Sequence, residues 1–175
     1  MTEAWLSGPV GGVPEPLMPA AHALLDAARE IDEVVRDLSL EELWLRPGGA
    51  ASIGFHIRHI VGSSDRLLTY ARGETLTSEQ RQAISEEGES GDPPADAAIL
   101  LEALQRSVEA TLAAYRATPA ERLFEPREVG RARLPSTVLG LLFHAAEHAR
   151  RHSGQVVTSA RVIRGLGLGR SSRPD

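Results

Sequence analysis

Apolar residues recur at alternating steps of four and three along much of this chain, a spacing that restricts those stretches to helices burying one stripe each. The clearest run is Leu17, Ala21, Leu24, Ala28, Ile31, Val35 and Leu38, which predicts a first long helix. A second starts at Ser52, a capping residue. It passes through Ile53, Ile57, Ile60, Leu67 and Leu68 to about Arg72, where Gly73 offers a left-handed stop. The third follows Ile99, Leu100, Leu104, Val108, Leu112 and Tyr115 and ends near Thr118-Pro119. The fourth opens at Pro135-Ser136, with Ser136 as its cap, and runs to about Arg164 before Gly165, Gly167 and Gly169. No convincing period-two run competes. The expected fold is therefore all-α, a four-helix bundle with long crossover connections.

The segments between these helices read less regularly. Ser39 with Glu42 has the form of a capping box for a short helical turn through Leu43, stopped by Arg46-Pro47-Gly48-Gly49. Residues 74–94 are polar and acidic and predict a mobile connection with one helical turn in Ser78 to Ser85. Asp92-Pro93 reads as the start of the third helix, because proline suits the first helical position. Ala120 to Leu134 reads as an extended connection, part of it strand. Residues 1–16, rich in Gly and Pro, predict an irregular N-terminal arm anchored by Trp5 and Leu6, followed by a helical domain over 17–165 and a C-terminal tail over 166–175.

Composition excludes several functions. With 175 residues the chain suits one domain that can bury a core without staples. It contains no cysteine, so it has neither disulfides nor thiolate ligands nor a cysteine nucleophile. The N-terminus lacks the basic start and apolar run of a secretory signal, and no segment approaches the ~20 apolar residues of a membrane span. A soluble cytoplasmic protein with no membrane partner is expected. A net charge of −5 and 4% aromatic residues disfavour nucleic acid as a partner.

Five of the six histidines fall in two segments. His144, His148 and His152 stand four residues apart, so each is about 40° further round the helix and one turn along from the last. Either neighbouring pair could hold a metal ion. A bound ion usually takes at least three protein ligands, so another must come from elsewhere. His56 and His59 on the second helix are the candidates, and periodicity does not decide between them, since Ile53, Ile57 and Ile60 flank both. A bundle interior would keep such imidazoles neutral, as ligation requires.

Two stretches carry a resemblance: SIGFHIRHIVGSSDRLLTYARGE from Ser52 to Glu74, and HAAEHARRHSGQVV from His144 to Val157. Together they resemble the DinB and YfiT-like superfamily, with a histidine before an aliphatic residue on helix two and a His-x-x-x-His-x-Gly-Gln pattern on a later helix. The resemblance implies His59, followed by Ile60, and His148 with His152, followed by Gly154 and Gln155, as the metal ligands. His56 and His144 would then orient those ligands or face a substrate. It also implies a four-helix bundle that often dimerises, so a homodimer is expected. The ion would be divalent, such as zinc or nickel. It would activate a water or a small thiol cofactor for transfer to, or hydrolysis of, a small-molecule substrate. Many members of the superfamily have no assigned reaction, and a non-catalytic metal-binding stress-response or binding protein is the alternative.

Other residues have weaker claims, and no catalytic residue is assigned. Glu147 points away from His148 and suits an ion pair with Arg151. Gln155 could hydrogen-bond a water or ligand, or serve helix packing. Tyr70 and Asp65 could reach a substrate, although Asp65 suits Arg66, Thr69 or solvent better. His22 lies off the apolar stripe and is expected to be exposed. The arginines at 150, 151, 161, 164, 170 and 173 read as a solvated face.

Overall fold

The computed structural model describes residues 2–169. In chain order the elements are α1 (Met18–Val35), α2 (Leu40–Trp44), α3 (Ile53–Ala71), α4 (Ser78–Glu86), α5 (Ala97–Ala117), β1 (Pro126–Val129), β2 (Leu134–Thr137) and α6 (Val138–Gly165). The four long helices form the bundle. α6 packs on α1 on one side and on α3 on the other, and α5 closes the ring between α3 and α1. The core is the inward stripe of each helix, including Leu24 and Ile31 of α1, Ile57 and Ile60 of α3, Leu104 and Val108 of α5, and Leu142 and Val156 of α6. Within α1, Ala27 is buried where the periodicity named Ala28, which is only partly covered.

The N-terminal arm is held differently from expectation. Trp5 and Leu6 are 60% and 58% exposed, so neither anchors it. Val13 and Leu17 supply the apolar contact instead, and Asp26 of α1 supplies the polar one. Its two carboxylate oxygens accept the Ala4 N–H at 3.0 and 3.2 Å, capping the 3-10 turn Ala4–Leu6 as a local N-cap would. Because the arm lies over α1, His22 is half-buried, with Nε2 3.0 Å from the Gly8 carbonyl, and is not the exposed residue expected.

The capping signals around α2 and α3 form as the sequence implies. Ser39 N–H donates to Glu42 at 2.8 Å, and Glu42 N–H donates to the Ser39 hydroxyl at 3.2 Å. Ser52 accepts the Phe55 N–H at 3.1 Å. Trp44 then lies directly on α3 at Gly54, where a Cβ would stand 2.7 Å from its ring. Its indole N–H donates to the Ala95 carbonyl at 2.9 Å, tying α2 to the approach of α5.

Residues 74–94 are more structured than one turn in a mobile connection. Thr77 and Gln80 form a second capping box, which the sequence reading missed, and α4 runs for nine residues behind it. Gln80 also donates to Asp65 at 2.7 Å and to Thr69 at 2.8 Å, docking α4 on α3. The third long helix starts at Ala97 with Asp96 as its cap, accepting Ile99 N–H at 2.9 Å, and not at Asp92-Pro93. Pro93 is itself followed by Pro94, and a residue before proline is pushed away from helical geometry.

The second connection contains an antiparallel hairpin pairing Pro126 with Thr137 and Val129 with Leu134. Its second strand extends through Ser136, so the cap of α6 is Thr137, which accepts Gly140 N–H at 3.0 Å. Arg127 of β1 donates to the Ala71 carbonyl at 2.7 Å and so satisfies an orphan acceptor at the end of α3. Deep in the bundle, Tyr115 of α5 donates its hydroxyl to the Leu142 carbonyl of α6 at 2.8 Å. α6 ends in a Schellman arrangement, with Leu168 N–H on Ile163 and Gly167 N–H on Arg164. Arg170 to Asp175, expected to be a frayed end, lie outside the described residues. No helix among the described residues is long and apolar enough to cross a membrane.

The Trp44 contact yields a test. Gly54→Ala adds helix propensity of about 1 kcal/mol, yet overpacking against the indole is expected to reverse the sign, for a net loss of about 1–2 kcal/mol. Urea unfolding followed by circular dichroism would read this as a lower midpoint with an unchanged slope.

Candidate metal centre

α3 and α6 lie side by side, and the histidines of each face the other. His59 and His148 meet with their Nε2 atoms 2.9 Å apart. His152, one turn along α6, places its ring centroid 4.8 Å from that of His59 and 4.5 Å from that of His148. One ring nitrogen from each of the three lies within 4.8 Å of the other two. The structure therefore brings His59, His148 and His152 together, from two helices and across 89 residues of sequence.

His56 is also near, but in a different role. Its Nδ1 lies 3.0 Å from Nδ1 of His152, on the edge of that ring away from Nε2. His144 lies beside His148 with centroids 5.3 Å apart and rings tilted by 47°, is largely exposed, and pairs through Nδ1 with Glu147 at 3.0 Å. Glu147 also takes Arg151 at 2.6 Å, so it forms the ion pair expected of it. Asp65 accepts from Gln80, and Tyr70 lies eleven residues beyond His59, roughly 16 Å along the helix, so neither is placed near the histidines. Gln155 is exposed. Of the arginines on α6, Arg150 pairs with Glu30 of α1, while Arg161 and Arg164 are exposed; Arg170 and Arg173 lie outside the described residues.

The sequence reading missed Glu87. This side chain leaves the end of α4, is almost fully buried, and places Oε2 2.6 Å from His59 Nδ1. Its other oxygen takes Arg66 Nη1 at 2.7 Å. Room for it exists because residue 62 is glycine: a Cβ there would stand 2.5 Å from Glu87 Oε1. The face of His59 is held as well, by Phe55, whose ring is stacked on it at 5.4 Å and 9°. Phe55 was also passed over, since on α3 it falls off the apolar stripe.

The donor set suits a metal ion. Three imidazoles with no thiolate match a zinc- or nickel-type ion better than calcium or magnesium. Nitrogens of two ligands on a tetrahedral ion stand roughly 3.3 Å apart, within the 2.9 to 4.8 Å spread present here. Nδ1 of His148 is buried with no hydrogen-bond partner among the described residues, an unpaired polar atom of a kind that folded interiors seldom keep.

Electrostatics favour the neutral form of His148, His152 and His56. Burial pushes the His148 imidazole down to about 4, helped by the nearby His152 and His59. Burial does the same to His152, to about 4, with His59 and His56 adding to it. His56 is lowered in the same direction, by burial first and His59 second. Two uncharged imidazoles at the heart of the site are what a divalent ion requires.

A pH dependence follows for the metal-free protein. Between the ordinary histidine value of 6.5 and about 4, an unfolded chain takes up protons that folded His148 and His152 do not. Stability should therefore fall as pH drops through that window and level off below it. His148→Gln should make the melting temperature of chelator-treated protein less sensitive to pH between 6.5 and 4; equal slopes would contradict the assignment.

No curated protein matches the chain. The profile of the DinB superfamily matches residues 23–156, which takes in α1 through the histidine ladder of α6. With that match over most of its length, the chain belongs to the DinB superfamily.

Proposed function

We propose that the protein is a divalent-metal enzyme in which His59, His148 and His152 hold one ion such as zinc or nickel. The observation that carries this reading is the convergence of three imidazole nitrogens from two helices within 4.8 Å. Membership of the DinB superfamily supports it. When bound, the ion would act as a Lewis acid that lowers the pKa of a coordinated water or small thiol and makes it a nucleophile toward a small electrophilic substrate.

The chain's own residues prepare the three rings for that task. To present an unprotonated Nε2, His152 keeps its proton on Nδ1 and donates it to His56 Nδ1, 3.0 Å away. His56 then carries its own proton on Nε2. Burial excludes the imidazolium form of His148 and His152 near neutral pH, so a metal does not have to displace protons from them. The side toward His144 and Glu147 is the exposed one, and a substrate would approach there.

The test is elemental analysis of protein grown with metal and purified without chelator. One divalent ion per chain is expected. His148→Ala and His59→Ala should each lose it, because two remaining imidazoles do not close a site. Absence of a stoichiometric ion in the wild type would overturn the reading. If the ion is present, its removal should abolish thiol transfer or hydrolysis while leaving the helical circular dichroism signal in place.

A further inference from the structure

We infer that Glu87 is a positioning residue for the metal: it fixes the tautomer and orientation of His59 so that Nε2 faces His148. This rests on the metal reading above and adds a residue from outside both histidine helices. Glu87 stands 28 positions from His59, in the connection between α3 and α5 that was expected to be loose.

Three features of the site argue for the role. A carboxylate accepts hydrogen bonds only, so at 2.6 Å Glu87 Oε2 requires the proton of His59 to be on Nδ1. That leaves the lone pair on Nε2, the atom 2.9 Å from His148. The carboxylate is itself held: Arg66 takes Oε1 at 2.7 Å, and the side chain of Glu87 is only 7% exposed. A buried charge in this position needs a partner to persist, and Arg66 of α3 supplies it. Gly62 completes the arrangement, since a Cβ there would stand 2.5 Å from Glu87 Oε1 and 2.8 Å from Arg66 Nη1 and would push the pair aside. The loop behind Glu87 is tied down by Arg58, which donates to the Glu89 carbonyl. With Phe55 on its face and Glu87 on its edge, the His59 ring has one orientation.

The consequence is that α4 and its following turn belong to the metal centre. Anything that lifts the connection from α3 releases His59 to rotate or to change tautomer, and the ion loses its one ligand from that helix.

The experiment titrates zinc alone into the full chain against a chromophoric chelator, for the wild type, Glu87→Gln and Glu87→Asp. Aspartate keeps the charge beside Arg66 but is one methylene short of His59. Loss of a carboxylate behind a ligating histidine typically weakens metal affinity 10–100-fold, and that loss is expected in both variants. Because either variant could also lower stability, nitrogen-15 NMR of the zinc-free wild-type protein supplies a second reading, with His59 protonated on Nδ1. Affinities within twofold of wild type in the folded variants, or a proton on Nε2 of His59, would overturn the role of Glu87 alone. A wild type that takes up no zinc or nickel would overturn the metal reading, and this inference with it.

Discussion

The packing of α3 against α6 is the constraint on which the rest depends. Each helix carries its histidines on the side that also carries part of its apolar stripe, so burying Ile57, Ile60, Ala149 and Val156 brings the imidazoles face to face. The hydrophobic effect supplies the driving force, and the polar cluster is positioned as a by-product of it. Four imidazoles on two helices also repel when charged, which is why neutrality and close approach reinforce each other here.

That arrangement is not the most stable one available to such a core. An aliphatic side chain at 148 would remove one buried nitrogen that has no partner among the described residues, and one at 56 or 152 would remove a buried polar pair. Retaining polar rings at this level of the bundle is in keeping with the metal role proposed for it. The clamps around it carry ordinary structural duties: Ser153 donates to Glu30 at 2.9 Å, and Arg127 caps the end of α3.

Much of the fold was legible because helical burial leaves a periodic trace. Leu17 through Val35, the Ser39-Glu42 box and the Ser52 cap all record local geometry in local sequence. The two histidine segments were legible too, as an uneven distribution of a rare residue. What failed was whatever depends on distant partners. Glu87 sits in a run with Glu86 and Glu89 nearby, and only the packing of α4 on α3 distinguishes it. Trp5 reads as an anchor by its size, yet Asp26 does that work through a backbone N–H that no side-chain pattern reveals. Ser136 and Thr137 are both good caps, and the pairing of β2 with β1 decides between them. Periodicity left His56 and His59 open because both point toward α6; their order along it is what separates them, with His59 meeting His148 and His56 meeting the far edge of His152.

A ladder of identical residues at equal intervals carries an ambiguity of its own. Slide α6 along its axis by four residues, roughly 6 Å, and His144 and His148 would stand where His148 and His152 stand now. Histidines alone cannot tell the two alignments apart. The hydroxyl of Tyr115 can, because it is bonded to one particular carbonyl, that of Leu142, and burial holds the phenol in its protonated, donating form. Slippage by even one residue would break that bond in the bundle interior, where leaving a polar group unpaired is costly. The vernier that sets which histidines are opposed to α3 is thus read by a residue on α5, a helix that contributes nothing to the site itself.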